Sequence, residues 1–521
     1  SGNIDLKSGL AATSGHITLN ADAGDILQSE TGDIISSGSI DLLANANITM
    51  SQGAVTRSTD SDVLLQTENG DIYVSQVLND AEDAGIALIS GRDILDAGDS
   101  AGTDAYGNVL ANTEDLQTGN LLIRSAGACG KDTDNGTLNH IETTTDNLTV
   151  ESGSLGMFLK ETGTVTIKEV ATSVNRVSTD ASTSIVNNTQ EDLYTTGTQE
   201  NEGNIVLIAD ETITITEGAN DVQEDHKGGA DAGNLLALSA AGSGNIFLNV
   251  ISGNIDIKSG ISSETGAISL EAGDILQMAF GDITTAGTID LLASGKISMI
   301  NGAVSTSTAS DIGYEAGQDI IVGQLISSAE EKGISLVAGD DILDGGDFGG
   351  DDIQADNLLI FSSGAVGHDG TNLNALDISV TALAVRSGDA GMFLNESDAV
   401  IVQEVCTSIN RVDNTGVVEV VDISQKNLST SGNGGIVLIS GSTLTITKGL
   451  PDDTDDNIPG VEASGSGNIF LNAKSGDIDV QGAITATNGH ISLDSNAGDI
   501  LQNIDGNISA GGSIDLQAGA D

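Results

Sequence analysis

Short runs of alternating apolar and polar residues recur along the whole chain. In the Gly-Asp-Ile-Tyr-Val run at 70–74, Ile72 and Val74 point to one side of an extended backbone, and the intervening Tyr points to the other. Alternation with a period of two predicts a β-strand. The Gly and the Asp or Asn that open each run are typical of turns. The chain is therefore predicted to be a long series of short strands joined by tight turns.

The starting points of these runs define a coil of fixed length. Taking every third run links Gly2, Gly24, Ala46 and Gly70. The coil is thus about 22 residues long, within the range of solenoid repeats. Three short strands per coil, wound in one direction, predict an all-β fold, the parallel β-helix, with loops that protrude from it. Stacked about 4.8 Å apart, roughly twenty such coils would extend on the order of 100 Å.

Two other architectures fit the pattern less well. An α-helical fold would show apolar residues three and four apart, which is not the spacing here, and abundant glycine destabilises helices. An array of immunoglobulin-like sandwiches would repeat about every 100 residues around buried aromatic residues, often Trp. The chain contains 67 Gly, no Trp and 2% aromatic residues. These features favour the β-helix.

A larger repeat contains many of these coils. The opening at Ser1 aligns with Ser252 and again with Ser475. Because each coil of a solenoid packs only on its neighbours, we expect no separate globular domains. We expect one elongated β-solenoid over 1–521, with internal large repeats at 1–251, 252–474 and 475–521, the last being a partial copy. Neither end carries a polar cap, which predicts a piece of a longer protein.

Length differences between the copies fall in polar stretches rich in Asp, Asn, Thr and Gly. Such stretches are typical of loops on a rigid scaffold, where binding residues concentrate. We expect any binding face to lie on these loops, especially on the longer loops of the first copy. The predicted loops are 96–118, 130–145, 178–202, 218–233, 344–357, 413–433 and 449–466.

Composition fixes the kind of core and excludes several partners. The chain is 38% hydrophobic with few aromatic residues, so the core must consist of stacked Ile, Leu, Val and Ala. Its 77 acidic and 17 basic residues give a net charge of −60. Nucleic acid is excluded as a partner because phosphate binding needs clustered Lys and Arg. No apolar run is long enough to insert into a membrane.

Dense Asp residues in three loops raise the possibility of structural Ca²⁺, which takes six to eight oxygen ligands in flexible geometry. No EF-hand pattern and no calcium β-roll repeat is present. Acidic loops that are simply solvated are the alternative interpretation, since the charge also keeps a long apolar-cored protein soluble. The candidate ligands are Asp96, Asp99, Asp104, Asp344, Asp347, Asp351, Asp452, Asp453, Asp455 and Asp456.

Other polar residues recur at equivalent turn positions. Asp25, Asp274 and Asp499 occupy the same place in three copies of Gly-Asp-Ile-Leu-Gln. A recurring Asp or Asn at a turn is expected to cap the backbone rather than to bind a ligand. The five His are expected at the surface. Cys129 and Cys406 are expected to be small core residues, without a disulfide framework.

The sequence does not predict an enzyme. Polysaccharide-degrading β-helices need paired carboxylates in a cleft, with Arg or Lys beside them. Here carboxylates are spread along the chain without a singular constellation, and a duplicated chain is expected to dilute unique sites. Arg176 and Arg411, repeat equivalents in Asn-Arg-Val, are expected to anchor loops. We expect neither catalytic nor cofactor-binding residues, apart from the calcium candidates.

The repeated phrases resemble those of a known family. Gly-Ser-Ile-Asp-Leu-Leu-Ala at 38–44 and Gly-Thr-Ile-Asp-Leu-Leu-Ala at 287–293 are similar to the repeats of filamentous haemagglutinins and of giant bacterial surface adhesins exported by two-partner secretion. The resemblance covers most of the chain, although the coil is longer than is usual for that family. It implies a right-handed β-helix that is secreted and lies at the bacterial cell surface.

Together these features predict an extracellular repeat segment that acts as a rigid shaft and an adhesive surface. The expected partners are a cell-surface glycan or protein receptor, or neighbouring copies of the chain, end to end or side by side. A purely structural fibre, sheath or matrix protein without a specific ligand is the alternative. A polysaccharide-degrading enzyme is a third, weaker alternative.

Overall fold

The computed structural model describes residues 2–98, 102–103, 109–110, 114–134, 137–197, 203–216, 236–346, 350–367, 374–448 and 459–519. Within these ranges the protein is all-β, with strands joined by turns and bends. The described part contains no helix that is long and apolar enough to cross a membrane. The chain forms two compact units. Unit 1 comprises Ser1–Gly266 with Val412–Val418, and unit 2 comprises Ala267–Arg411 with Glu419–Asp521.

The first half of the chain consists of short strands. Their bounds are Ile4–Leu6, Leu10–Ala12, Ile17–Ala21, Ile26–Gln28, Ile34–Ser36, Ile40–Ala44, Ile48–Met50, Val55–Ser58, Val63–Thr67, Ile72–Val74, Gln76–Asn79, Gly85–Ser90, Ile94–Asp96, Gly102–Thr103, Val109–Leu110, Leu116–Ser125, Lys131–Asp134, Thr137–Asn139, Ile141–Gly153, Met157–Glu161, Val165–Ile167, Val170–Val177, Thr183–Gln190, Leu193–Thr196, Ile205–Ala209, Ile213–Ile215, Leu236–Ala240, Ile246–Val250, Ile255–Ile257 and Gly260–Ser263.

The second half follows the same pattern. Its strands are Ile268–Ala272, Ile275–Gln277, Ile283–Thr285, Ile289–Ala293, Ile297–Met299, Val304–Ser307, Ile312–Ala316, Ile320–Val322, Gln324–Ser327, Gly333–Ala338, Ile342–Asp344, Ile353–Ser362, Leu376–Ser387, Met392–Glu396, Val400–Val402, Val405–Val412, Val418–Gln425, Leu428–Thr430, Ile436–Ser440, Leu444–Ile446, Val461–Ala463, Ile469–Ala473, Ile478–Val480, Ile484–Ala486, Ile491–Ser495, Ile500–Gln502, Ile508–Ala510 and Ile514–Ala518.

Successive coils stack in register through parallel strands, which confirms the predicted parallel β-helix. In unit 1, Ile26 pairs with Ile48, Ile48 with Ile72, and Ile72 with Ile94. All four side chains are fully buried. The spacing of these residues along the chain is that of the predicted coil. The core is therefore a column of isoleucines, each lying on the one before it.

Unit 2 contains the same column. Ile275 pairs with Ile297, Ile297 with Ile320, and Ile320 with Ile342. Their side chains are also fully buried. Three strands per coil follow from the same register, because each strand in these columns pairs with the strand three positions later in the chain. At roughly 25 cal/mol per Å² of buried apolar surface, such columns are the main favourable term in folding.

The recurring Asp and Asn residues cap the backbone of the next coil. Asn3 Oδ1 accepts the N–H of Asp25 at 3.0 Å, and Asp25 Oδ1 accepts the N–H of Asn47 at 3.0 Å. Asn47 Oδ1 then accepts the N–H of Asp71 at 2.8 Å, and Asp71 Oδ1 accepts that of Asp93 at 3.2 Å. We call this series the cap ladder. Each carboxylate in it gains a donor, which offsets the repulsion between stacked acidic residues.

The cap ladder recurs in unit 2. The same kind of contact accounts for the positions of two histidines. Asp274 Oδ1 accepts the N–H of Lys296 at 2.8 Å, as predicted for a capping residue. His16 Nδ1 in unit 1 and His490 Nδ1 in unit 2 accept N–H groups of Ser39 and Ser513, at 3.0 and 2.9 Å. An imidazole nitrogen here replaces the side-chain oxygen of Asn.

Glycine precedes Asp25 and Asp71 of the cap ladder for a steric reason, whereas Ala46 precedes Asn47. A Cβ on Gly24 would lie 2.4 Å from Asn3 Oδ1 and 2.5 Å from the carbonyl oxygen of Gly2. Such distances are too short for any side chain. The Gly-Asp and Gly-Asn pairs therefore follow from the close approach of one turn to the turn beneath it.

A hairpin covers one outer face of unit 1. Val170–Val177 and Thr183–Gln190 pair antiparallel. Val170 and Val174 pack on Leu64, Ala87 and Leu122, which face outward from successive coils and are buried beneath the hairpin. These outward apolar residues interrupt the apolar and polar alternation of their strands. A strand that is buried on both of its faces needs apolar residues on both faces.

The strands Val405–Val412 and Val418–Gln425 form an equivalent hairpin, of which 405–411 and 419–425 belong to unit 2. In its cluster Val405 packs with Leu359, Ala382 and Ala384. Two predicted loops, 178–202 and 413–433, thus contain strands of these hairpins. Two more, 96–118 and 130–145, contain short antiparallel pairs, formed by Gly102–Thr103 with Val109–Leu110 and by Lys131–Asp134 with Thr137–Asn139. The second strand of each hairpin is largely exposed, and its exposed side chains are both polar and apolar, the apolar ones being Ile185, Val418 and Val420.

Two predictions for single residues need correction. Cys129 is buried as expected, but Cys406 is exposed because it lies on the outer side of its hairpin strand. His140 is 1% exposed rather than at the surface, with its ring centroid 5.9 Å from that of Phe158. His226 and His368 lie outside the described residues.

The cap ladder predicts a position-specific loss of stability. Asp25→Ala removes the acceptor for the N–H of Asn47 and should lower the free energy of unfolding by about 1–2 kcal/mol. Asp25→Asn keeps the acceptor and is the matched control, with no comparable loss expected. Urea unfolding followed by circular dichroism measures both. Equal destabilisation by the two substitutions would contradict the capping role.

Candidate functional site

Three carboxylates from two neighbouring coils converge in unit 1, with Asp96 and Asp115 in one coil and Glu142 in the next. Asp96 ends one strand, Asp115 precedes Leu116–Ser125, and Glu142 is the second residue of Ile141–Gly153. One oxygen of each lies within 4.8 Å of the others. The N–H of Asp115 donates to the carbonyl oxygen of Glu142 at 3.0 Å, which fixes the two coils relative to each other. Three close carboxylates can hold a divalent cation.

The sequence named Asp96 but missed its two neighbours. Asp115 and Glu142 are distant from Asp96 along the chain, and neither lies in an Asp-rich run. Their signal is positional, because Asp115 stands before the next core strand of the same coil and Glu142 stands near the start of the strand stacked on it. Two other candidates from the first copy, Asp99 and Asp104, lie outside the described residues.

The second copy preserves the acidic positions without the same grouping. Asp344 is 8% exposed, and its Oδ1 accepts the N–H of Gly346 at 2.5 Å. Asp352 Oδ2 accepts the N–H of Asp377 at 2.9 Å. Within the described ranges these carboxylates do not meet the 4.8 Å spacing of the first copy. The pKa of Asp351 is raised by burial and by the nearby charges of Asp377 and Asp398.

A separate group of carboxylates lies on another part of unit 2. Oxygens of Asp319, Asp340 and Asp341 lie within 4.8 Å of one another. Asp319 already pairs with Lys296, whose Nζ is 2.6 Å from Oδ2, and its Oδ1 accepts the N–H of Asp341 at 3.2 Å. A counter-charge and a backbone donor thus satisfy much of this group. The remaining calcium candidates, Asp347, Asp452, Asp453, Asp455 and Asp456, lie outside the described residues.

A polar groove of about 370 Å³ opens on unit 1. It crosses four coils, because Leu78 pairs with Gln117, Gln117 with Thr144, and Thr143 with Glu161 in the parallel register. The lining consists of polar and small residues, namely Asn79, Asp80, Ala81, Glu82, Gln117, Thr118, Gly119, Thr144, Thr145, Asp146, Glu161, Thr162, Gly163 and Thr164.

Glu161 is the most perturbed group in the groove. It is 1% exposed, its Oε1 accepts the N–H of Thr145 at 3.0 Å, and its Oε2 accepts the hydroxyl of Thr143. Burial raises the pKa of Glu161 to about 8, helped by the negative charges of Glu114 and Asp146 and opposed by the two hydrogen bonds. The carboxyl group is therefore largely protonated at neutral pH.

Several residues that line the groove differ in the second copy. In the second copy, the register places Ile378 opposite Glu396, where the first copy has Thr143 opposite Glu161. Val380 and Thr381 likewise stand where the first copy has Thr145 and Asp146. Burial also raises the pKa of Glu396, to about 7. The two copies have thus diverged in the residues of this groove.

Arg176 and Arg411 anchor the two hairpins, as predicted. Arg176 Nε lies 2.7 Å from Oδ2 of Asp41, which is fully buried. In unit 2, Arg411 Nε lies 2.7 Å from Oδ2 of Asp290. Burial raises the pKa of Asp290 to about 6, and Arg411 opposes that shift. Leaving either carboxylate buried without its arginine would cost about 3 kcal/mol, which makes these pairs structural.

Comparison with protein-family models, curated proteins and solved structures finds no match to this chain. The function must therefore be inferred from the fold, the groove and the charged clusters themselves.

The raised pKa of Glu161 predicts a pH-dependent stability. The folded protein holds a proton that the unfolded chain releases above its ordinary pKa near 4.5, so stability should fall as the pH rises from about 4.5 through 8. Glu161→Gln should flatten this dependence and be more stable than the natural chain at pH 9, by on the order of 3 kcal/mol. Urea unfolding across pH 5–9 measures the effect.

Glu82→Gln is the control for this pH dependence, because Glu82 lines the same groove and is exposed. It should leave the pH profile of stability unchanged. If Glu161→Gln and the natural chain lose stability in parallel between pH 5 and pH 9, the buried carboxyl group does not carry the proton assigned to it.

Calcium binding stays a prediction, and the cluster of Asp96, Asp115 and Glu142 sharpens its test. At a hundredfold excess over its dissociation constant, Ca²⁺ bound there should stabilise the folded state by about 2.7 kcal/mol. Thermal melts with Ca²⁺ and with a chelator measure this difference. Asp115→Asn should abolish it, and Asp22→Asn, at an exposed turn, should not. Identical melting temperatures of the natural chain in both conditions would show that Ca²⁺ does not stabilise the folded state.

Proposed function

We propose that the chain is an extracellular repeat segment of a large bacterial surface or secreted protein, acting as a rigid shaft and an adhesive surface. The observation that carries this proposal is the in-register stack of parallel coils, seen in unit 1 and in unit 2 alike. Each coil is tied to the next by strand pairing, by aliphatic columns and by the cap ladder. Such a stack resists bending and presents the same outer face many times.

The surface chemistry supports an extracellular role. A net charge of −60 keeps copies of an apolar-cored protein apart in solution. The core needs no disulfide, since the described cysteines, Cys129 and Cys406, are both free. The resemblance of the Gly-x-Ile-Asp-Leu-Leu-Ala phrases to filamentous haemagglutinin repeats adds to this proposal. The partners we propose are a cell-surface glycan or protein receptor, or further copies of the chain.

A purely structural fibre, sheath or matrix protein is the second candidate. The near-identity of the coil columns in both units favours it, because such repetition by itself needs no ligand. The two candidates differ in one respect: an adhesive segment binds cells or matrix as an isolated chain, and a structural fibre does not.

Adhesion of the purified chain distinguishes them. Beads carrying the chain should bind bacterial cells, host cells or matrix proteins above the level of beads carrying an unrelated protein of similar charge. Replacing 97–114 with the shorter corresponding segment 345–351 of the second copy should reduce this binding, because the longer loops of the first copy are predicted to carry the binding face. The matched control replaces 345–351 with a Gly-Ser segment of equal length, and should bind as the natural chain does.

Absence of binding to every cell and matrix surface would favour the purely structural fibre. If binding is unchanged after the 97–114 replacement, the chain is still adhesive, but the binding face does not lie on that loop.

A further inference from the structure

The groove of unit 1 has unused hydrogen-bonding groups. The side chains of Gln117, Thr144 and Asp146 make no hydrogen bond or ion pair with any residue that the structure describes. Two of them, Gln117 and Asp146, are exposed. They offer an amide, a hydroxyl and a carboxylate across two neighbouring coils, since Gln117 pairs with Thr144. A ligand rich in both donors and acceptors would satisfy them.

The negative charge of the groove lining excludes anionic ligands. The lining includes Asp80, Glu82, Asp146 and Glu161, and no Lys, Arg or His. Asp80 is neutralised by Arg57, whose Nη2 lies 2.7 Å from its Oδ2. Glu82 and Asp146 remain as uncompensated carboxylates, so phosphate, sulfate or uronate groups would be repelled.

The lining also excludes apolar ligands and a tightly bound metal ion. Its one apolar side chain is that of Ala81. An apolar ligand would therefore gain little by burial. Among the described residues, the carboxylates of the groove do not form a trio within 4.8 Å, as a metal site would require. The volume of about 370 Å³ falls within the range of small-ligand sites, roughly 300–1,000 Å³.

We propose that this groove binds a neutral oligosaccharide. Sugar hydroxyl groups donate to Asp146 and Glu82 and accept from the amide of Gln117 and the hydroxyl of Thr144. Glu161 shapes the floor through its bonds to Thr143 and Thr145. The inference deepens the proposed adhesive function, on which it rests, by naming the ligand class and its site.

The test is isothermal titration of the purified chain with neutral hexasaccharides, namely cellohexaose, xylohexaose, mannohexaose and maltohexaose. Oligogalacturonate, chitosan hexamer and CaCl₂ are titrated in parallel. At least one neutral hexasaccharide should bind. Asp146→Thr, which introduces the side chain of the second copy, should lower its association constant about tenfold through the loss of a charged acceptor. Thr144→Ala should lower it by a smaller factor.

Asp22→Thr is the matched control, because it removes the same charge from an exposed turn of unit 1 outside the groove. It should bind the hexasaccharide as the natural chain does. Circular dichroism and urea unfolding of each variant show whether the fold is kept, and Thr381 at the equivalent position of unit 2 shows that threonine is compatible with such a coil.

The proposal would be overturned if no neutral hexasaccharide bound, or if Asp146→Thr left the binding unchanged. Binding of chitosan hexamer alone, weakened by Asp146→Thr, would also overturn it and would identify the groove as a cation site. Heat from CaCl₂ that Asp115→Asn abolishes is assigned to the cluster of Asp96, Asp115 and Glu142, which lies outside the groove lining. Release of shorter sugars during titration would overturn the proposal in favour of an enzyme. Sugar binding without adhesion of beads to any surface would contradict the proposed function and leave the groove assigned. Adhesion of the beads without sugar binding would support the proposed function and contradict the assignment of the groove.

Discussion

At many turns of the described coils, a backbone N–H donates to a side chain of the preceding coil. The acceptor is most often the oxygen of Asp or Asn, and at two turns it is the nitrogen of His16 or His490. This contact sets the position of one turn over another, and the strands that follow then meet in register. The isoleucine columns depend on it, because a slip of one residue would turn every Ile outward. Glycine before Asp25 and Asp71 is a consequence of the same contact, since at Gly24 and Gly70 the two turns approach too closely for a side chain.

The outer faces of the coils are then free to differ. Where outward residues are apolar, as at Leu64 and Leu122, a hairpin covers them and a buried ion pair fixes its position. The pair joins Arg176 to Asp41, which lie far apart in the sequence. A buried carboxylate is costly without its partner, so the arginine specifies where the hairpin lies. Unit 2 repeats this arrangement with Arg411 and Asp290.

Duplication provides an internal comparison. The columns and caps are the same in both copies because every coil must satisfy them. The groove differs between the two copies, because Thr143 of the first copy corresponds to Ile378 of the second and Asp146 corresponds to Thr381. Glu161 and Glu396 are both retained and both buried, and each accepts the N–H of the equivalent residue, Thr145 or Val380. Their second donors differ, being the hydroxyl of Thr143 for Glu161 and the N–H of Asp398 for Glu396. The two copies thus diverge at residues that the stacking of the coils does not require. Many of these residues line the polar groove of the first copy.

The sequence by itself determined the strands, the length of the coil and the capping role of residues such as Asp25, because these are local or repeat at a fixed period. Alternation, glycine and Asp or Asn recur together from coil to coil, so each copy of the pattern supports the others. It also singled out Arg176 and Asp96 by type and position. Only the tertiary structure brought Asp115 and Glu142 to Asp96, buried His140, exposed Cys406 and assembled the groove from four coils. Those outcomes depend on loop lengths and on the hairpin that returns over the sheet, which no fixed period encodes.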